Sequence, residues 1–127
     1  MTEAELQNIL ERNLPAADRH HVVVEDCGDQ DVRLRFSLGP GEKWSTAMLL
    51  SLVDTSLRAA AGLGCSLSHL NVTVLRAADE ADVIALSRVI RRNGGTIHAE
   101  AWLFSHAVVE PMLHATASAL VPDRDHM

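Results

Sequence analysis

Residues 45–61 read Ser-Thr-Ala-Met-Leu-Leu-Ser-Leu-Val-Asp-Thr-Ser-Leu-Arg-Ala-Ala-Ala. Ser45 has the chemistry of an N-cap, and Gly62 and Gly64 stand where a helix would stop. A helix over this run is about 24 Å long at about 1.5 Å per residue. Met48, Leu49, Leu50, Leu52, Val53 and Leu57 cover well over half of its circumference, whereas a surface helix shows a single apolar stripe. The reading is a helix at the centre of the fold. Ala59, Ala60 and Ala61 let neighbouring backbones approach it closely.

The flanking segments read as a sheet around that helix. Upstream, Thr2 and Glu5 make a capping box for a short accessory helix over about residues 2–12, with Leu6, Ile9 and Leu10 on one face and Asn13-Leu14-Pro15 as its stop. A hairpin follows: a strand over His21–Glu25, a turn at Gly28-Asp29-Gln30, then Val32, Leu34 and Phe36 alternating with polar neighbours. Downstream only strands are expected: Leu70–Leu75, Val83–Arg91, Thr96–Ser105 and Met112–Leu120. A turn over Ala77–Asp82, an Asn93-Gly94 hairpin and a connection over Ala107–Pro111 separate them, and Pro122–Met127 is a polar tail expected to fray. The order predicts a single α+β domain over 1–127, a curved antiparallel sheet of four to six strands wrapped around the central helix. Val83-Ile84-Ala85-Leu86 and Ala101-Trp102-Leu103-Phe104 are apolar on both strand faces, which predicts a second subunit against the sheet: a homodimer at least, with a tetramer of two dimers as the larger form.

Composition narrows the function. The chain of 127 residues carries 11 Lys and Arg against 17 Asp and Glu, a net charge of -6, and only two Trp, two Phe and no Tyr. This excludes a general nucleic-acid binder, which needs a basic footprint and stacking platforms, and a polybasic membrane surface. No run of apolar residues is long enough to span a bilayer, and the acidic N-terminus does not read as a signal peptide, so the expected location is cytoplasmic. Cys27 and Cys65 form no CxxC pair and read as core thiols. The seven histidines make no metal-ligand spacing, and the adjacent His20 and His21 would point to opposite faces of a strand. No metal or resident cofactor is expected.

One side chain interrupts the apolar helix. Asp54 stands in its middle, on a stripe with Ala47, Ser51 and Arg58 at spacings of 4, 3 and 4. Burying a carboxylate is expensive without partners. Two readings stay open: an intrahelical pair with Arg58, or a carboxylate facing a pocket or subunit seam and able to activate water. If both groups were buried, Arg58 would hold the Asp54 carboxylate ionised and weaken it as a base. At the start of the helix, Ser45, Thr46 and Ala47 offer capping and free N–H groups that can polarise a carbonyl oxygen. Arg76, and the cluster of Arg88, Arg91 and Arg92 by the Asn93-Gly94 turn, suit either phosphate groups or solvent.

Three segments carry a resemblance: the helix 45–61 with Leu52-Val53-Asp54-Thr55-Ser56 inside it, Asn71-Val72-Thr73-Val74-Leu75-Arg76-Ala77-Ala78, and His114-Ala115-Thr116-Ala117-Ser118-Ala119. Together they resemble the hotdog-fold thioesterases of the phenylacetic-acid-degradation type, over about residues 20–121. The resemblance implies a site at a dimer interface that cleaves an acyl-CoA thioester, CoA being part of the substrate. It implies Asp54 as base or nucleophile. The family usually opens this helix with His-Gly-Gly, whose first glycine gives its N–H to the thioester oxygen; here Ser45-Thr46-Ala47 stand in those places, and Thr46 or Ala47 would be the donor. Thr73 is implied as a hydroxyl from the partner subunit, Asn71 as the asparagine before the arginine-bearing turn, and Arg76, Arg91 and Arg92 as contacts for the CoA phosphates. Met48, with Leu52 and the partner's strands, would set the depth of the acyl pocket, and Ser51 and Arg58 would line it. Three functions follow for the chain: an acyl-CoA thioesterase, a non-catalytic binder of CoA esters, and a structural homo-oligomer.

Overall fold

The computed structural model describes residues 1–13, 20–105 and 110–122. The chain runs α1 (Glu3–Asn13), β1 (Val23–Cys27), β2 (Asp31–Ser37), α2 (Thr46–Ala61), β3 (Ser66–Val74), β4 (Asp82–Asn93), β5 (Thr96–Ser105) and β6 (Pro111–Leu120). The six strands form one sheet in the order β1-β2-β4-β5-β6-β3, with every pairing antiparallel. The sheet curves around α2, the arrangement expected of a hotdog fold.

Register and burial show which side chains the helix meets. Across the sheet, Leu34, Ala85, Leu103 and Leu113 lie in one row and are all buried. Val32, Ser87, Ala101 and Ala115 form the next row. Leu52, Val53 and Leu57 of α2 pack against these rows and are fully buried. Each such side chain contributes about 1.5–3 kcal/mol by leaving water. The small residues at 85, 101 and 115 let the helix lie close to the sheet. One polar contact joins the layers: the Ser87 hydroxyl donates to the Ser56 carbonyl at 2.7 Å. The intervening residues, including Arg88, Glu100, Trp102 and His114, occupy the outer face.

The two edges of the sheet differ. At β1, α1 covers the edge with Leu6 and Leu10, both buried. The Gln7 side chain there behaves like a short strand: its Nε2 donates to the Val22 carbonyl at 2.8 Å and its Oε1 accepts from the Val24 N–H at 2.7 Å. At the other edge, among the described residues, β3 is paired only with β6. Its nine residues include no proline and no Lys, Arg, Asp or Glu, and most of them are exposed. Proteins normally blunt such an edge with charge, proline or a cover.

Most expected elements are present, with shifted ends. The first hairpin strand begins at Val23, because His20 and His21 adopt φ of 45° and 52° and form a turn. They therefore do not alternate across a strand as expected. The β3 strand starts at Ser66, four residues before the expected start at Leu70, since Ser66 and Leu67 already pair with Leu120 and Ala119 of β6. The β4–β5 hairpin closes between Asn93 and Thr96, with Gly94 at φ 62°, a conformation that favours glycine. The stop at Leu14-Pro15, the connection from Ala107 and the tail beyond Pro122 lie outside the described residues, as do His106 and His126.

Candidate functional site

The start of α2 is built by three residues. Trp44 anchors it, donating its indole N–H to the Glu80 carbonyl at 3.0 Å, with the His20 ring edge-on at 5.4 Å. Ser45 has extended backbone and accepts the Met48 N–H on its hydroxyl at 3.2 Å. The Met48 sulfur returns the contact, accepting the Ser45 N–H at 3.4 Å. This capping uses the N–H of Met48 and leaves those of Thr46 and Ala47, both exposed residues, without a protein acceptor among the described residues. They carry the positive end of a 16-residue helix.

Along α2 the face turned from the sheet carries Ala47, Leu50, Ser51, Asp54 and Arg58. None of these is buried. Leu50 is 38% exposed, an apolar side chain in the open. The helix is thus not wrapped on all sides within one protomer, and Asp54 is not the buried carboxylate that the apolar run predicted. Its side chain is 45% exposed and that of Arg58 30%. The expected i,i+4 contact exists, with Arg58 Nε 3.3 Å from Asp54 Oδ1. The contact is an ion pair without a hydrogen bond, and Nε is shut off from solvent with no acceptor.

The remaining expected residues are dispersed. Arg76 follows β3, its backbone N–H donating to the Met112 carbonyl, and its guanidinium pairs with Glu110. It lines a cavity of about 180 Å³ with Glu80, Ser105 and Met112, at the same end of the sheet as the start of α2. Arg91 and Arg92 are exposed at the far end of β4, opposite His98 and Ile97. Arg91 lies nine residue steps along β4 from Asp82, roughly 30 Å at about 3.3 Å each. Arg76 and Arg91 of one protomer therefore do not converge on one phosphate group. Asn71 and Thr73 pair with Thr116 and His114, which places them on the outer face, across the sheet from α2.

A polar cluster on the outer face is legible only after pairing. Glu100 is 8% exposed and accepts from Arg88 Nε at 2.6 Å. His114 Nε2 is 3.4 Å from its other oxygen, the His114 ring lies 4.9 Å from Trp102, and Arg88 stands over that indole at 5.7 Å. Arg88 is thus not part of a phosphate cluster at the hairpin. The alternation of β5 was the available signal, since it puts His98, Glu100 and Trp102 on one face; that Arg88 and His114 flank them depends on register. Farther along this face, Arg33 donates to Glu25 and Arg35 lies beside it, and together they hold the Glu25 carboxyl below the usual carboxylate range. Burial pushes the Cys27 thiol up.

Among the described residues, no group of three or more His, Cys, Asp or Glu is placed to hold a metal ion, and no helix is long and apolar enough to cross a membrane.

No family model and no curated protein matches this chain. Solved structures do. A candidate thioesterase from Silicibacter sp. TM1040 superposes with a TM-score of 0.83 at 18% identity, covering 97% of this chain and 93% of its own. Zebra fish thioesterase superfamily member 2 does so with a TM-score of 0.82 at 18% identity, covering 96% and 99%. The E. coli PaaI protein from the phenylacetic acid degradation operon gives 0.79 at 12% identity, covering 95% and 94%. Shared along nearly the whole of each chain at such low identity, the likeness is one of architecture, and this chain is a hotdog-fold protein.

Proposed function

We propose that the chain hydrolyses an acyl thioester of the coenzyme A type at a seam between two copies of itself. The observation that carries this reading is the open face of α2. Thr46 and Asp54 are eight residues apart on it, about 12 Å along the axis at about 1.5 Å per residue. A single carbonyl group cannot meet both at about 3 Å. The exposed Leu50 stands midway between them. Two α2 helices running antiparallel about Leu50 would bring the N-terminal N–H groups of each beside Asp54 of the other. The bare β3 edge supports the same two-fold pairing, because joining β3 to β3 of a second copy continues the antiparallel sheet.

In this arrangement the N–H of Thr46 or Ala47 in one copy donates a hydrogen bond to the thioester oxygen and stabilises the negative charge that develops there. Asp54 of the other takes a proton from water as the water oxygen bonds to the carbonyl carbon. The C–S bond then breaks, and the proton passes to the departing thiolate. A thiolate leaves readily, so no strong acid is needed. Met48 and Ser51 line the seam. Arg76 of one copy, with Arg91 or Arg92 of the other, meets the CoA phosphates. Asn71 and Thr73, on the outer face, have no part in this chemistry. The thioesterase names of the structural neighbours favour the same reaction class.

A non-catalytic binder of CoA esters is the second reading, favoured by Ser45-Thr46-Ala47 in place of the family's His-Gly-Gly. Asp54→Asn decides between them. The variant should fold, dimerise and bind a CoA ester, yet lose about 10² or more in kcat if the carboxylate acts on the reacting atoms. Unchanged turnover in the variant refutes the role of Asp54. Tight binding of CoA esters with no turnover by the wild type establishes the binder.

A further inference from the structure

We propose that Arg58 is a specificity residue, and that the acyl group taken by this site is a short one ending in a carboxylate. The proposal rests on the thioester reading above and deepens it. Three observations meet at Arg58. First, its Nε is closed off from solvent and makes no hydrogen bond, although a guanidinium N–H in such a place normally has an acceptor. Second, Arg58 lines a cavity of about 320 Å³ between the ends of α1 and α2, whose other walls among the described residues are Leu10, Leu63, Gly64 and Asn13. Third, it sits one helical turn beyond Asp54, with Nε 3.3 Å from Oδ1.

The distances define the size of the acyl group. A thioester carbonyl carbon poised for reaction stands about 3–3.5 Å from the groups that act on it. Added to the 3.3 Å between Asp54 and Arg58, this puts the carbon within about 7 Å of Nε. Nε is closed while Arg58 lies against Asp54, so the side chain turns from Asp54 to hold an acceptor about 2.9 Å from one of its guanidinium nitrogens. A carboxylate about three carbon–carbon bonds beyond the carbonyl, each about 1.5 Å, lies within that reach, and a long chain would overshoot it. The cavity walls explain the preference for a charged end. Leu10 is fully buried and Leu63 partly so, and the Asn13 amide already donates to the Ile9 carbonyl at 2.8 Å, so among the described residues Arg58 supplies the positive charge of the cavity. A substrate carboxylate would also take Arg58 away from Asp54. The carboxylate that must act on water is then freed of its cation by the substrate it is meant to cleave, while an acyl group without the anion leaves Asp54 held.

The experiment compares succinyl-CoA with butyryl-CoA, which match in chain length and differ in the terminal charge. Hydrolysis is followed by release of free thiol. The wild type should prefer succinyl-CoA by about ten-fold or more in kcat/KM, the scale of a charge-assisted hydrogen bond. Arg58→Leu should remove the preference, and Arg58→Lys should keep part of it, with circular dichroism establishing that each variant is folded. Equal hydrolysis of both esters by the wild type overturns this proposal and leaves the thioester reading intact. A preference that survives Arg58→Leu also overturns it. If neither ester is hydrolysed, turnover of a long-chain and an aromatic acyl-CoA decides the thioester reading, and calorimetric binding of succinyl-CoA and butyryl-CoA decides the proposal. Tighter succinyl-CoA binding that depends on Arg58 upholds it, and equal or absent binding overturns it.

Discussion

Proline placed in β3 tests whether its bare edge is a subunit contact. In an antiparallel strand, successive residues turn their N–H groups to opposite sides. Of Leu70 and Asn71, both within the regular pairing of β3 with β6, one donates toward β6 and the other toward the open edge. Leu70→Pro and Asn71→Pro therefore form a matched pair. The variant whose N–H faces β6 loses a hydrogen bond inside the protomer and should lower its melting temperature. The variant whose N–H faces outward should leave the protomer folded, because proline is tolerated at an edge. If β3 pairs with β3 of a second copy, four or five of its nine residues face outward in each, and the seam holds roughly eight to ten hydrogen bonds. At a net of about 0.5–1.5 kcal/mol each, a proline present in both copies removes two of them, about 1–3 kcal/mol. The dimer dissociation constant should then rise about 5- to 150-fold, since about 1.4 kcal/mol is a factor of ten. Sedimentation or light scattering over a concentration series reads this directly against the 13.8 kDa chain mass. A wild type that is monomeric at every concentration, or dimers that persist unchanged in both variants, refutes the edge as the contact.

Other outcomes follow from contacts already described. Glu25 has a lowered pKa, first through the Arg33 hydrogen bond and then through Arg35, so its contribution is present above the ordinary glutamate value and is lost as pH falls through the lowered one. Glu25→Gln should therefore cost about 0.2–1 kcal/mol at about pH 7 and progressively less as pH falls through the lowered value, read by urea denaturation over a pH series. Gln7→Ala removes the hydrogen bonds to the Val22 and Val24 backbone and should destabilise the protein by about 1–3 kcal/mol, with faster amide exchange confined to β1 and α1. Arg76→Ala and Arg91→Ala should each raise the KM for a CoA ester by about two- to five-fold, as exposed ion pairs do, with kcat unchanged. If KM moves in neither, the phosphate role of these arginines is gone.

Local order was readable in the chain because it depends on near neighbours. The Ser45 cap and Gly62 bound α2 as the residues predicted, and the alternation of Val32, Leu34 and Phe36 placed the buried face of β2 correctly. The Asn93-Gly94 pair closed the hairpin at the expected place. Helix caps, strand alternation and turn residues act over a few positions, so the order of elements, and with it the hotdog fold, was determined by the sequence alone. The exposure of Asp54 was not. Periodicity put it on a stripe with Ser51 and Arg58, but only the packed sheet decides which side of α2 is covered, and that stripe is the side left open. Register likewise decided that Arg76 and Arg91 lie at opposite ends of the sheet, that Thr73 stands across it from α2, and that Glu100 meets both Arg88 and His114. These relations join residues far apart in the chain, and a shift of one residue in strand pairing would reverse every face involved.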